Sequence, residues 1–160
     1  MNPIRQTDDS ARDLARNLLA DMRHATLAVL DPDSGHPHLS RIACQIGPDG
    51  APLALLSGLA VHSRALGTDP RAALLVEAPP GKGDPLTHPR LSVQVIARRL
   101  DDAAPEMRAR WLAAHPRAAV FIDLPDFRFW HLTPQSALLN AGFGAAFRLT
   151  PADMATPPQG

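Results

Sequence analysis

Hydroxyl, imidazole and guanidinium donors gather in the stretch Leu56-Ser57-Gly58-Leu59-Ala60-Val61-His62-Ser63-Arg64-Ala65-Leu66-Gly67-Thr68-Asp69-Pro70-Arg71. Ser57, His62, Ser63 and Arg64 lie between two apolar, strand-like runs, in a turn that leads into a short helix. Free backbone N–H groups and the helix dipole at such a turn favour an anion. Charged donors there make short, strong bonds to a phosphate dianion. The competing reading is that Ser57 or Ser63 caps the helix while His62 and Arg64 are solvated. Spacing alone leaves both readings open.

The neighbouring run His38-Leu39-Ser40-Arg41-Ile42-Ala43 places Ser40 and Ile42 on one strand face and Arg41 on the other. An arginine in a strand that also carries Leu39, Ile42 and Cys44 either meets a ligand or holds an edge position beside a carboxylate. His36 and His38 share a strand face at a spacing used by some metal sites. No third ligand is marked, so solvated histidines beside the turn are the simpler reading, and no metal site is assigned. Trp130 and His131 either stack on a planar ligand or pack in a core or dimer interface. Gly142-Phe143-Gly144 is first a turn, although glycine also lets backbone approach a flat ring closely.

Several chemistries are excluded by missing patterns. The chain has no Gly-x-Gly-x-x-Gly fingerprint, Walker loop, Gly-x-Ser-x-Gly elbow, His-Glu-x-x-His or Cys-x-x-Cys. No protein-supplied nucleophile stands out. Sixteen basic and sixteen acidic residues cancel, so no basic field points to nucleic acid or anionic lipid as a partner. The single cysteine, Cys44, excludes an internal disulfide. No apolar run approaches the roughly 20 residues needed to span a bilayer, and the charged N-terminal stretch lacks a signal-peptide core. The expected setting is cytoplasmic.

These residues must be positioned by a domain of 160 residues, a length that buries roughly 70% of the extended surface. One domain over residues 1–160 is expected, with about 1–6 and 156–160 as mobile ends. Ala11, Leu14, Ala15, Leu18, Leu19 and Met22 recur at helical spacing between Thr7 and Arg23, with Thr7, Asp8 and Asp9 available as caps. Strands are expected at 25–30, 36–46, 51–57, 72–77 and 91–100, with turns at Asp31-Pro32-Asp33-Ser34-Gly35 and Gly47-Pro48-Asp49-Gly50. Pro105, Met107, Trp111 and Leu112 mark a short helix over 103–115. Three last strands are expected at 119–132, interrupted at Leu124-Pro125-Asp126, and at 136–141 and 145–149. The predicted class is mainly β (α+β), a six- to seven-stranded antiparallel barrel with peripheral helices.

The motifs ATLAVLDPDSGHPHLSRIA, LLSGLAVHSRALGTDPRAALLV, PRLSVQVIAR and DFRFWHLTPQSALLNAGFG together resemble the FMN-binding split barrels of the pyridoxamine 5'-phosphate oxidase-like superfamily. The branch they most resemble is the haem-utilisation one. The resemblance implies a homodimer that binds FMN between subunits and acts as a flavin-dependent oxidoreductase on a small molecule. It places Ser40, Arg41 and Ile42 along the flavin, and Ser57, His62, Ser63 and Arg64 at its phosphate. It adds Ser92 near the ring, and Trp130 or Phe143 from the partner chain.

Three motifs of the pyridoxamine phosphate oxidases themselves are missing. They are an arginine at the position of Ser40, an Arg-Lys pair at Val61-His62 and a late Arg-Leu-His element, so the resemblance does not extend to that reaction. The haem alternative, binding or breakdown, requires an axial ligand from His24, His36, His38, His88, His115 or His131. A non-catalytic flavin carrier or sensor is the third reading.

Overall fold

A computed structural model describes residues 3–156. Helix α1 (Asp9–Asp21) starts where the Asp8 carboxylate accepts from the Ala11 N–H at 2.8 Å. Its Ala11, Ala15, Leu18 and Leu19 are buried against the rest of the core.

Six antiparallel strands follow and close into a barrel: β2 (His24–Leu30), β3 (Pro37–Ile46), β4 (Pro52–Ser57), β5 (Arg71–Glu77), β6 (Arg90–Leu100) and β7 (Phe127–Asn140). The order β7-β4-β3-β2-β5-β6 is completed by pairing of β6 with β7. Alternation sends Ala25, Leu27 and Val29 of β2, and Ile42 and Cys44 of β3, into the barrel. Burial pushes the Cys44 thiol up to about 12, so it stays a small protonated core residue.

Two further strands extend the sheet. β8 (Ala146–Leu149) pairs with the end of β7, and β1 (Ile4–Arg5) runs parallel to β8. Ile4 and Arg5 fall within the end expected to be mobile, yet the sheet holds them. Residues 1–2 and 157–160 lie outside the described residues.

The expected strand over 119–132 is revised. Pro116–Val120 forms a 3-10 turn and the strand begins only at Phe127. It then runs without a break to Asn140. Pro134 is tolerated because it sits at the β6–β7 register shift, after the last β4 pair at His131 and before the first β8 pair at Ala137.

Strand β4 is buried on both faces. Ala54 and Leu56 point into the barrel, while Leu53 and Leu55 join a second core with Trp111, Ala118, Ile122 and Phe129. That second core seats α3 (Pro105–Ala114) and its 3-10 turn on the barrel's outer wall. Helix α2 (Val61–Thr68) links β4 to β5, and α4 (Pro151–Met154) follows β8. Among the described residues no helix is long and apolar enough to cross a membrane.

Candidate functional site

Strands β3 and β4 pair only over Cys44–Ile46 and Pro52–Ala54. Beyond that ladder β3 turns towards β2 and β4 towards β7. Between the parted strands opens a cavity of about 590 Å³. Arg41, Ile42 and Ala43 line one side, Leu55, Leu56 and Ser57 the other, with Ala60 and His62 at the start of α2. Trp111, His115, Arg117 and Phe121 form the outer wall.

The chemistry of this wall is apolar with a few nitrogen donors, the usual composition of a small-molecule pocket. Three nitrogens lining residues of the cavity are buried without a hydrogen-bond partner: His62 Nε2, His115 Nε2 and Trp111 Nε1. Burial holds both imidazoles below their ordinary pKa, with His38 adding to the effect on His62 and Arg23 to that on His115. Each is therefore neutral near pH 7. His115 also stacks on Trp111, ring centroids 4.4 Å apart. Arg41 and Arg117 are exposed and have no hydrogen-bond or ion-pair partner among the described residues.

The residues singled out in the sequence divide among different surroundings. Ser40, Arg41, Ile42, Ser57 and His62 come together around the cavity, Ser40 through a 3.1 Å hydrogen bond between its Oγ and His62 Nδ1. Ser57 donates to the Asp126 carboxylate at 2.6 Å, and Ser63 donates to the Ser57 carbonyl at 2.6 Å. Arg64 pairs with Asp33 at 2.7 Å in an exposed ion pair. Ser63 and Arg64 face a different depression beyond α2, which also carries Arg99, Arg128 and Asp126.

Ser92 is exposed on β6. Register carries it across the outer wall from Arg41 by way of Thr26 and Leu75, three strand spacings or roughly 14 Å. Trp130 is buried in the barrel core, and Phe143 is 94% exposed between Gly142 and Gly144. Both glycines take positive φ, 138° and 66°, as the turn reading requires.

Trp111 carried only helical spacing in the sequence, and Arg117 and Phe121 carried no site signal. Their role depends on how α3 docks.

No family model matches the chain. One solved chain is 56% identical, aligned over 96% of this chain and 100% of its own, with a TM-score of 0.91. A haem-binding protein from Mycobacterium smegmatis is 32% identical over 92% of this chain and 61% of its own, with a TM-score of 0.81. The chloroplastic noncanonical haem oxygenase HOZ of Arabidopsis thaliana is 31% identical over 113 residues, 71% of this chain. A Clostridium acetobutylicum protein of the pyridoxinephosphate oxidase family shares the fold, with a TM-score of 0.68 at 12% identity.

The fold and these likenesses fit the pyridoxamine 5'-phosphate oxidase-like superfamily and its haem-utilisation branch. The split barrel spans about a third of the length of the curated relative it matches, 34%.

Proposed function

We propose that this split barrel binds haem in the cavity between β3, β4 and α3, and does so as a homodimer. The observation that carries the reading is the pairing, in one apolar cavity, of neutral imidazoles whose Nε2 atoms lack partners with two unpaired arginines. Those features fit the group. A neutral imidazole is an iron ligand, and free guanidinium groups match propionate carboxylates.

His62 is the first candidate ligand. Its Nδ1 is engaged by Ser40 Oγ; when that nitrogen is the donor, the lone pair is left on Nε2, the arrangement that metal-binding histidines use. His115 and Trp111 supply a flat face beside it. Arg41 and Arg117 hold the acidic edge. When bound, haem itself supplies the iron for redox and O₂ chemistry. The haem-binding Mycobacterium smegmatis protein and the HOZ haem oxygenase support the reading. The reducing, cytoplasmic setting belongs to the same proposal and is supported by the lone buried thiol.

Flavin is the second reading, and one observation favours it. Helix α2 starts with no side-chain cap and no acidic residue in its first turn, while Ser57 lies just before it and Arg64 within it. FMN held there by its phosphate would make the chain a flavin-dependent oxidoreductase on a small molecule.

Parallel titrations decide between them. Hemin is expected to give a shifted Soret band that saturates at one haem per chain. His62→Ala is expected to weaken that binding about tenfold or more, the loss of a metal ligand or its support. FMN is expected to leave its own fluorescence unquenched. A flat hemin titration on folded protein overturns the haem reading; saturable FMN uptake in its place establishes the flavin one.

A further inference from the structure

On the other side of α3 from the haem cavity lies a polar cleft of about 400 Å³. It is walled by α1, the end of β3, α3 and Met154 of α4, and the helix residue Ala114 lines both this cleft and the haem cavity. Three arginines face it: Arg16 from α1, Arg23 just after it and Arg110 from α3. Gln45 of β3 forms part of the floor and is only 5% exposed.

The hydrogen bonds here are incomplete in a particular way. Gln45 Oε1, an acceptor, and Arg16 Nε, a donor, are both buried without a partner. Arg16 reaches Asp13 only at 3.6 Å, through Nη1. Arg23 donates from Nη1 to the Met22 carbonyl at 2.9 Å and to the Ala20 carbonyl at 3.4 Å, which leaves the rest of its fork open. Arg110 has no hydrogen-bond or ion-pair partner among the described residues. A buried donor and a buried acceptor left unpaired in one cleft each carry a desolvation penalty. A single occupant that both accepts and donates relieves the two together.

We propose that this cleft is a second binding site, for a small hydroxylated oxyanion whose carboxylate or phosphate group meets Arg16, Arg23 and Arg110 and whose hydroxyl donates to Gln45 Oε1. Guanidinium forks suit either oxyanion, since both present coplanar oxygen pairs. Three cations around one cleft select a dianion over a monoanion. The buried carbonyl of Gln45 selects for a hydroxyl, because a ligand lacking one leaves that oxygen dry and unpaired. The volume suits a compact metabolite. The proposal does not depend on the haem reading.

Calorimetric titration at fixed ionic strength tests it with malate, glycerol 3-phosphate and succinate as probes. Malate or glycerol 3-phosphate is expected to bind saturably at one per chain, and which of the two binds tighter distinguishes a carboxylate from a phosphate ligand. Succinate, the dicarboxylate without the hydroxyl, is expected to bind about tenfold more weakly than malate. Arg110→Gln removes an exposed side chain with no partner and so leaves the fold intact; it is expected to weaken binding by about tenfold. Hemin binding is expected to be unchanged in that variant. The proposal is overturned by flat titrations for both hydroxylated probes, by equal affinity for malate and succinate, or by unchanged affinity in Arg110→Gln.

Discussion

His62 and His115 bring two neutral imidazoles to one cavity, and their burial has a consequence for stability. Each has a folded pKa below its ordinary value, whereas in the unfolded chain each titrates near 6.5. Above that pH both states are neutral and nothing is lost. As pH falls through about 6.5 the unfolded state takes up protons that the folded state refuses, so stability declines. The decline ends once the pH is below the depressed folded values. Thermal melts from pH 8 to pH 5 are expected to show falling Tm, and the double variant His62→Gln, His115→Gln is expected to flatten the slope. An unchanged slope in that variant assigns the pH dependence to other groups. Hemin affinity is expected to fall over the same range, because a proton and a metal compete for the same lone pair.

At the scale of elements, much of the frame was legible because its signals are local. The β2–β5 strands and α2 follow from alternating or continuous apolar runs cut by Asp-Pro-Asp-Ser-Gly and Gly-Pro-Asp-Gly turns, and the observed bounds of β2 to β6 fall within a residue of the expected ones. The start of α1 is equally local. Asp8 accepts the Ala11 N–H at 2.8 Å, so Asp8→Ala is expected to cost about 1 kcal/mol and to lower Tm by about 2–4 °C. Calorimetry that finds no loss would show that another group satisfies that N–H.

What was not legible depends on contacts distant in the chain. Pro134 reads as a strand breaker, and only the pairing of β7 with three different strands shows why it fits. The donors of the 56–71 stretch read either as one phosphate cradle or as a helix cap with solvated neighbours. Asp126 and Asp33, which occupy Ser57 and Arg64, come from segments whose proximity no spacing reveals. Gln45 is silent for the same reason. A glutamine in a strand is ordinary until both its faces are seen to be covered.

For the molecule as a whole, the outer wall formed by β3, β2, β5 and β6 is the place to seek a second copy. Register aligns Leu39, Ala28, Ala73 and Gln94 in one row across it, and Arg41, Thr26, Leu75 and Ser92 in the next. Leu39 is 65% exposed, Leu30 and Ile96 stand at the margin, and Ala28, Ala73 and Leu75 are only half-buried. Small residues at the centre of such a wall allow close approach of another sheet, and burying the leucines supplies the driving force. Arg41 belongs both to this wall and to the cavity between β3 and β4, so a partner seated here would complete the mouth of that cavity and fix that guanidinium.

Ala73→Arg places a charge at the centre of the wall with its side chain pointing away from the barrel core. Sedimentation is expected to show a dimer for the natural chain and a monomer for the variant. The variant's circular dichroism is expected to be unchanged and its hemin affinity reduced, because the monomer lacks the second wall beside Arg41. A natural chain that sediments as a monomer, or a variant that stays dimeric, removes this face as the interface. A monomeric variant with full hemin affinity would instead show that each chain builds its site alone.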